Sequence, residues 1–460
     1  MADRAGVLGN IANAKRAELD ERFAGVSLDA LRDRARRSQR SLANALDQDG
    51  ARFILEIKKM SPSAGVIRAG ADPAKLALGY ARAADALSVL CDRSFFGGSL
   101  DDLAAARSHF EGPILAKDFF LDLRQVAEAR IAGADAILVM LSLLDDEAAR
   151  AMIAEAARLG MDALVEVHSE REMQRALKLG AALIGINNRN LHDLSIDLST
   201  TERLAPLATD RIVVAESGIV QRSDIDRLAP LVDGFLIGSS LMRTPNPGRA
   251  AQELIFGKVK LCGLNRPEDF AAAQQATYAG IVFAPESPRA VTLGQAIRLA
   301  PLHPMPVGIF CNATVEKICD AANLVGLVAV QLHGDEDAAY VRALARMLPP
   351  ACEIWKAVTV TKSAPQTFDA ADRILFDSGK GGTGRPFDWS RVRDHPALER
   401  AVIAGGLGPH NARAAQRLGA HAIDVGSSLD ARPGQKSPPK IATLFDALRP
   451  VSRQSLRACA

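Results

Sequence analysis

One stretch of this chain recurs, and the recurrence constrains the fold more than any other feature. Residues 211–242, RIVVAESGIVQRSDIDRLAPLVDGFLIGSSLM, run through a short apolar segment, a Glu-Ser-Gly turn, a helix, a second apolar segment and a Gly-Ser-Ser turn. Residues 402–429, VIAGGLGPHNARAAQRLGAHAIDVGSSL, follow the same course. Gly218 falls on Gly406 and Gly238 on Gly426, each 188 residues further on. Short apolar runs bounded by turns suit buried parallel strands. Small residues directly after a strand let backbone N–H groups close on a phosphate, and the dipole of a following helix adds attraction. A single turn of this kind is an ordinary strand-to-helix connection. Two in succession, repeated at one register, point to phosphate binding. In a βα barrel that site is built from the loops after strands 7 and 8. The chain therefore reads as two barrels, each with its own phosphate cup.

The remaining pattern agrees. Apolar segments separated by helical stretches lie at 53–58, 86–90, 114–117, 136–140, 163–167, 183–187, 212–215 and 235–237, which makes eight. Eight more follow at 259–262, 280–283, 307–310, 328–331, 354–358, 373–377, 402–404 and 423–425. Alternating strands and helices argue a parallel sheet, and eight such strands close a barrel. The fold class expected is α/β, two consecutive (β/α)8 TIM barrels spanning 1–255 and 256–460. The length of 460 residues fits two barrels of roughly 200–250 each. Ahead of the first strand, Leu8, Ile11, Leu19, Phe23, Leu28, Leu31, Leu42 and Leu46 recur at helical spacing and predict a helical extension. The run Arg32, Arg34, Arg36, Arg37, Arg40 reads as a solvated face. Residues 243–257 predict a rigid joint with a short helix, and the residues after Pro450 a frayed tail.

A net charge of +2 gives no support for a nucleic-acid or anionic-membrane partner. The six cysteines are scattered without a CxxC pair, which argues against zinc or a disulfide framework and for a reducing compartment. No apolar run approaches the roughly 20 residues a membrane span needs, and the first residues lack a signal-peptide core. A cytoplasmic monomer is expected.

Barrel enzymes carry their working residues at the C-terminal ends of strands. In the first half these ends supply Glu56, Lys58, Lys117, Glu166, His168, Asn187 and Arg189. Lysines and carboxylates converging on one mouth shift each other's pKa values, which provides an acid and a base near neutrality. The segments ILEIKKMSPSAG, CDRSFFGGSLDDL, ILAKDFF, VEVHSEREM, GINNRNL, AESGI and FLIGSSLM together resemble indole-3-glycerol phosphate synthase. That resemblance implies closure of the indole ring of 1-(2-carboxyphenylamino)-1-deoxyribulose 5-phosphate, with loss of CO₂ and water and no cofactor. It implies Lys117 as general acid, Glu166 as general base, and Lys58 on the substrate carboxylate, with the acid role open to sharing between Lys117 and Lys58. Glu56 and Asn187 would orient these groups, with Arg189 nearby. Ser61, Ser217, Gly218, Gly238 and Ser239 would take the phosphate, and Phe96, Phe119 and Leu138 the anthranilate ring. His168 reads as a structural histidine.

In the second half a thiol, Cys262, ends strand 1 and a carboxylate, Asp377, ends strand 6, a plausible base and acid for a proton shift along a sugar. The segments VKLCGLNRPED, VGIFCN, VQLHGDED, LFDSGKGGTGRPFDW, IAGGLGPHN and IDVGSSLD resemble phosphoribosylanthranilate isomerase. The resemblance implies ring opening and an Amadori rearrangement without metal or cofactor. Cys262 would be the base and Asp377 the acid on the ring oxygen, with Arg289 on the anthranilate carboxylate. Gly382, Gly405, Gly406, Gly426 and Ser427 would hold the phosphate, with Gln331, His333 and Asp424 lining the mouth. A Gly-x-Lys-Asp turn common late in that family reads Gly434-Gln435-Lys436-Ser437 here, followed by Pro438-Pro439. The isomerase product is the synthase substrate, so the substrates expected are phosphosugar-anthranilate conjugates. A binding protein without turnover would keep the cups and lose Lys117, Glu166, Cys262 or Asp377; all four stand in the sequence.

Overall fold

The computed structural model describes residues 7–190, 193–361, 365, 367–379 and 386–458. Two closed eight-stranded barrels account for the main sheets. The first is made of β1 (Arg52–Ile57), β2 (Ala86–Leu90), β3 (Ile114–Lys117), β4 (Ala136–Met140), β5 (Asp162–Val167), β6 (Leu183–Asn187), β7 (Ile212–Glu216) and β8 (Gly234–Ile237). Each pairs in parallel with its neighbours, and Arg52 opposite Gly234 begins the seam that closes β8 on β1. The second uses β9 (Val259–Cys262), β10 (Tyr278–Val282), β11 (Pro306–Phe310), β12 (Ala329–Leu332), β13 (Glu353–Thr359), β14 (Arg373–Asp377), β15 (Ala401–Ile403) and β16 (Ala422–Val425), again all parallel. These strands are buried on both faces, which is why they appear in the sequence as apolar runs without alternation. The expected segments match them to within two residues at either end. Among the described residues no helix is long and apolar enough to cross a membrane.

Compact packing divides the chain into Met1–Leu254 with Pro450–Ala460, and Ile255–Arg449. The cut falls inside the helix Pro247–Phe256 of the joint. The expectation for the C-terminal tail needs correction. It is neither frayed nor part of the second barrel: Arg453–Ala458 forms a helix, and the segment is bonded to the N-terminal end of the first barrel. Arg453 is buried; its guanidinium donates to the carbonyl of Ala208 at 3.0 Å and to Asp233 Oδ2 at 2.7 Å. Its own N–H reaches the Val232 carbonyl at 3.1 Å, and the Ala51 N–H reaches the Pro450 carbonyl at 2.8 Å.

The same end of the barrel carries a set of aspartates just before or at the starts of strands. Asp85 accepts from Phe53 N at 2.8 Å, Asp135 from Ile114 N at 3.1 Å and Asp233 from Val213 N at 2.8 Å. Asp162 accepts from Ser41 and Ala43, and Asp135 from Ser38, so the N-terminal extension is fastened there too. The arginine run is only partly solvated: Arg32 makes a two-pronged pair with the buried Glu155 of a barrel helix.

The first helix, α1 (Val7–Arg22), crosses to the opposite end, the mouth. It is held by Lys15, a fully buried lysine 2.8 Å from Asp92 and 3.0 Å from Asp118. Asp118 directly follows β3 and Asp92 lies two residues past the end of β2, so the ion cluster ties the extension to the rim.

Candidate active sites

The mouth of the first barrel encloses a cavity of about 1000 Å³. Glu56 enters it from β1, Lys117 from β3, Glu166 from β5 and Asn187 from β6, and the buried Glu216 of β7 stands behind Lys117. Lys117 Nζ lies 2.7 Å from Glu216 Oε2 and 3.4 Å from Glu56 Oε1. Lys58 is ion-paired to the other oxygen of Glu56. Asn187 donates its amide to Glu166 Oε2 at 3.2 Å. Two glycines make the space for these carboxylates: a Cβ at Gly185 would overlap Glu216, and one at Gly238 would overlap Glu56.

The charges are interdependent. Burial opposes ionisation of Glu56, and Lys58 and Lys117 beside it prevail, holding it down at about 2. Burial likewise opposes charge on Lys117, but Glu216, Glu56 and Glu166 carry it well above the ordinary lysine value. Lys117 is therefore a fully protonated donor at neutral pH. Glu216 is pushed up to about 7 by burial, with Lys117 pulling against and Glu166 and Glu56 adding to the shift. Glu216 escaped the reading of the sequence, where it counted only as part of a turn. The rule that found Lys117 and Glu166, polar residues at strand ends, applies to it equally.

The rest of the cavity is divided between an apolar side and a turn side. Phe96 and Phe119 meet with ring centroids 6.1 Å apart, Leu138 packs with them, and Leu8 and Ile11 of α1 complete the lining. Those two α1 residues were expected only as core. Ser61, Ser217, Gly218, Gly238, Ser239 and Arg189 line the same cavity. Ser217 has φ +64° and Gly218 φ +87°, so a side-chain-bearing residue adopts the left-handed backbone at this turn. Ser240 Oγ donates to the Ile219 carbonyl at 2.8 Å and ties the two turns together.

In the second barrel Ser428 makes the equivalent bond to the Leu407 carbonyl, at the same register of 188 residues. Gly405 and Gly406 have φ +81° and +63°. A Cβ on Gly405 would stand 3.0 Å from Asp377 Oδ1, and one on Gly426 3.7 Å from Cys262 Cβ. The two glycine turns thus abut the thiol and the carboxylate that the sequence singled out. Ser427 opens the short turn Ser427–Leu429. Gly382 and the Gly381–Arg385 loop lie outside the described residues.

Lys260, one strand period before Cys262, is buried and pairs with Asp424 at 2.7 Å. It was missed because one lysine in an apolar strand resembles a side chain reaching solvent. Burial raises the Cys262 thiol above its ordinary value, with Lys260 drawing it back. Asp377 is raised by burial as well, with its Oδ1 accepting from Ser378 N at 2.6 Å. Gln331 is hydrogen-bonded to His333, whose pKa burial and Lys260 hold down to about 4, so the ring is neutral. Arg289 crosses Gly263, next to Cys262, and its guanidinium meets Asp430 at 2.6 Å. Asp430 also takes Lys436 at 2.6 Å, and Lys436 donates to the Gly426 carbonyl at 2.9 Å. The departure at 434–439 is accommodated: Ser437 caps the helix Pro438–Leu448, whose first two positions tolerate proline because their N–H groups have no helical partner.

Residues 8–254 match the family described as indole-3-glycerol phosphate synthase, and residues 259–447 the family described as N-(5'phosphoribosyl)anthranilate (PRA) isomerase. The chain belongs to both families. It is 44% identical to a tryptophan biosynthesis protein TrpCF of Yersinia pestis, over 90% of this chain and 88% of that one. It is 41% identical to the TrpCF protein of Salmonella typhi, over 96% of this chain and 99% of that one. Among solved structures, the phosphoribosyl anthranilate isomerase of Thermus thermophilus has 30% identity and a TM-score of 0.37, covering 42% of this chain and 98% of that chain. The protein is a bifunctional enzyme of tryptophan biosynthesis, with a decarboxylating synthase barrel first and an isomerase barrel second.

Proposed function

We propose that each mouth performs its family's reaction with the residues gathered there. In the isomerase barrel Asp377, whose carboxyl burial raises above its ordinary value, gives a proton to the ring oxygen of the phosphoribosyl group. Cys262 then removes the proton from the adjacent sugar carbon, completing the Amadori rearrangement. Gly405, Gly406, Gly426 and Ser427 hold the phosphate, joined by Gly382; Arg289 takes the anthranilate carboxylate. Gln331, the neutral His333 and Asp424 orient the sugar.

In the synthase barrel the anthranilate ring lies against Phe96, Phe119 and Leu138. The phosphate lies at Ser61, Ser217, Gly218, Gly238 and Ser239, with Arg189 adjacent. Lys58 meets the substrate carboxylate, which leaves as CO₂ once the new carbon–carbon bond forms. Lys117 protonates the departing hydroxyl and Glu166 takes the proton lost as the indole becomes aromatic. Glu56 and Asn187 hold these groups in place. The observation that carries this reading is Lys117, charged and gripped by Glu216 and Glu56 in one cavity with Glu166. The same proposal places the protein in the cytoplasm as a monomer, which sedimentation would test.

The decisive assay gives the purified chain phosphoribosylanthranilate in chelator-treated buffer and follows substrate fluorescence and indole absorbance together. Loss of the first with growth of the second is expected. Loss without growth would mean a silent first barrel, and no change would return a phosphosugar-binding role. A pH series adds a second expectation. Glu216 titrates at about 7, so ring closure should fall as pH drops through that value and the Lys117 partner is neutralised. Glu216→Gln should flatten that acid limb; an unaltered limb would remove Glu216 from the scheme.

A further inference from the structure

His168 has no part in the roles above, yet it is built into the synthase mouth. It follows β5 directly, and its largely buried ring lies between two carboxylates. Nδ1 is 3.2 Å from Glu172 Oε2, and Nε2 is 3.4 Å from Glu166 Oε1. Glu172 is itself a fixed anchor: it belongs to the helix Glu170–Lys178, capped by Ser169, and accepts the backbone N–H of His168 at 2.7 Å. Glu166 Oε1 and His168 Nε2 are both buried and face each other at 3.4 Å, and among the described residues neither atom has a hydrogen-bond partner. Buried polar atoms left unpaired are costly, which favours arrangements that pair these two with each other. Both ring nitrogens face carboxylate oxygens, and an imidazole has two N–H donors only when charged.

The surrounding charges favour that form. Glu166 and Glu172 flank the ring, Glu216 faces it from β7, and Lys117 of β3 stands beyond Glu216 at 2.7 Å. Arg175, on the same helix as Glu172, acts on that carboxylate, while Asn187 of β6 is neutral. Burial works against the charge, but the three carboxylates outweigh it and the His168 pKa is raised.

We propose that His168 is a positioning residue, tethered by Glu172, that keeps Glu166 turned toward the substrate. This rests on the reading of Glu166 as general base. When the ring loses its Nε2 proton it presents a lone pair to Glu166 Oε1, and the carboxylate is no longer held. Ring closure therefore carries an alkaline limb above the ordinary histidine range, separate from the acid limb of Glu216.

The test measures kcat and KM for ring closure, with the ribulose intermediate as substrate, across pH 6–10. Isomerase activity of the same chain serves as a control for folding. His168→Ala is expected to lower kcat roughly tenfold to a hundredfold, within the contribution of an oriented base, and to leave KM within about twofold. His168→Gln supplies an N–H donor that does not titrate, so it should recover most of the kcat and lack the alkaline limb. Glu172→Gln should move that limb to lower pH. An alkaline limb that persists unchanged in His168→Gln would overturn the inference, as would equal losses in KM and kcat in His168→Ala. Glu166→Gln separates the two layers: if it retains ring closure, the base assignment fails; if it loses ring closure while the limb of His168→Gln is unchanged, only the role of His168 fails.

Discussion

Lys117→Ala is expected to abolish ring closure, by about a thousandfold or more, while the isomerase runs at its normal rate and the ribulose intermediate accumulates. General acid catalysis alone contributes roughly 10²–10⁴, and here the same substitution takes the ion-pair partner from buried Glu216 and leaves Glu56 with Lys58 alone. Glu216, 2.7 Å away, and Glu56, 3.4 Å away, would be left to repel each other and Glu166. Cys262→Ala is expected to do the reverse, removing isomerisation and sparing ring closure when the intermediate is supplied. Activity on phosphoribosylanthranilate and on the ribulose intermediate, measured separately for both variants, checks the pair. Comparable loss of both activities in either variant, with circular dichroism unchanged, would refute two independent sites.

The second large effect concerns stability. Removing residues 450–460 is expected to destabilise the synthase barrel while leaving the isomerase barrel intact. Arg453 is buried and bonded to Asp233 and to the carbonyls of Ala208 and Arg211. Breaking a buried pair by removing one partner costs about 3–5 kcal/mol, because a charge is left without compensation. For a domain of this size about 3 kcal/mol corresponds to a fall of roughly 6–12 °C in Tm. Calorimetry should show one transition moving down and the other staying, with ring closure lost on warming before isomerisation. Arg453→Met, which keeps much of the volume, should give a smaller fall of the same kind. Coincident loss of both transitions would show that the tail stabilises more than the first barrel.

Most of this architecture was legible because parallel barrel strands are buried on both faces and so stand out as apolar runs. The catalytic candidates were legible for a related reason: a charged residue ending such a run has few other uses. What escaped did so on physical grounds. Glu216 was hidden inside a motif whose glycine and serine drew the phosphate interpretation. Lys260 needs its partner Asp424, 164 residues away, before its burial makes sense. Arg453 is separated from Ala208 and Asp233 by 245 and 220 residues, and no local pattern announces such a contact. The arginine run misled in the same way, since Arg32 finds Glu155 only once the extension is laid on the barrel.

The two phosphate turns also differ at one aligned position, and the difference has a direction. Ser217 carries a left-handed backbone that a side chain rarely adopts; its counterpart 188 residues on is Gly405, which adopts it freely. Exchanging serine for glycine at 217 would relax the backbone and forfeit only a hydroxyl. The opposite exchange at 405 would press a side chain toward Asp377 Oδ1 and Ser378, both about 3 Å from where its Cβ would stand. Were the halves descended from one ancestral barrel, this position would behave as a ratchet: passage from serine to glycine is open, and return is closed wherever a carboxylate has moved in beside it.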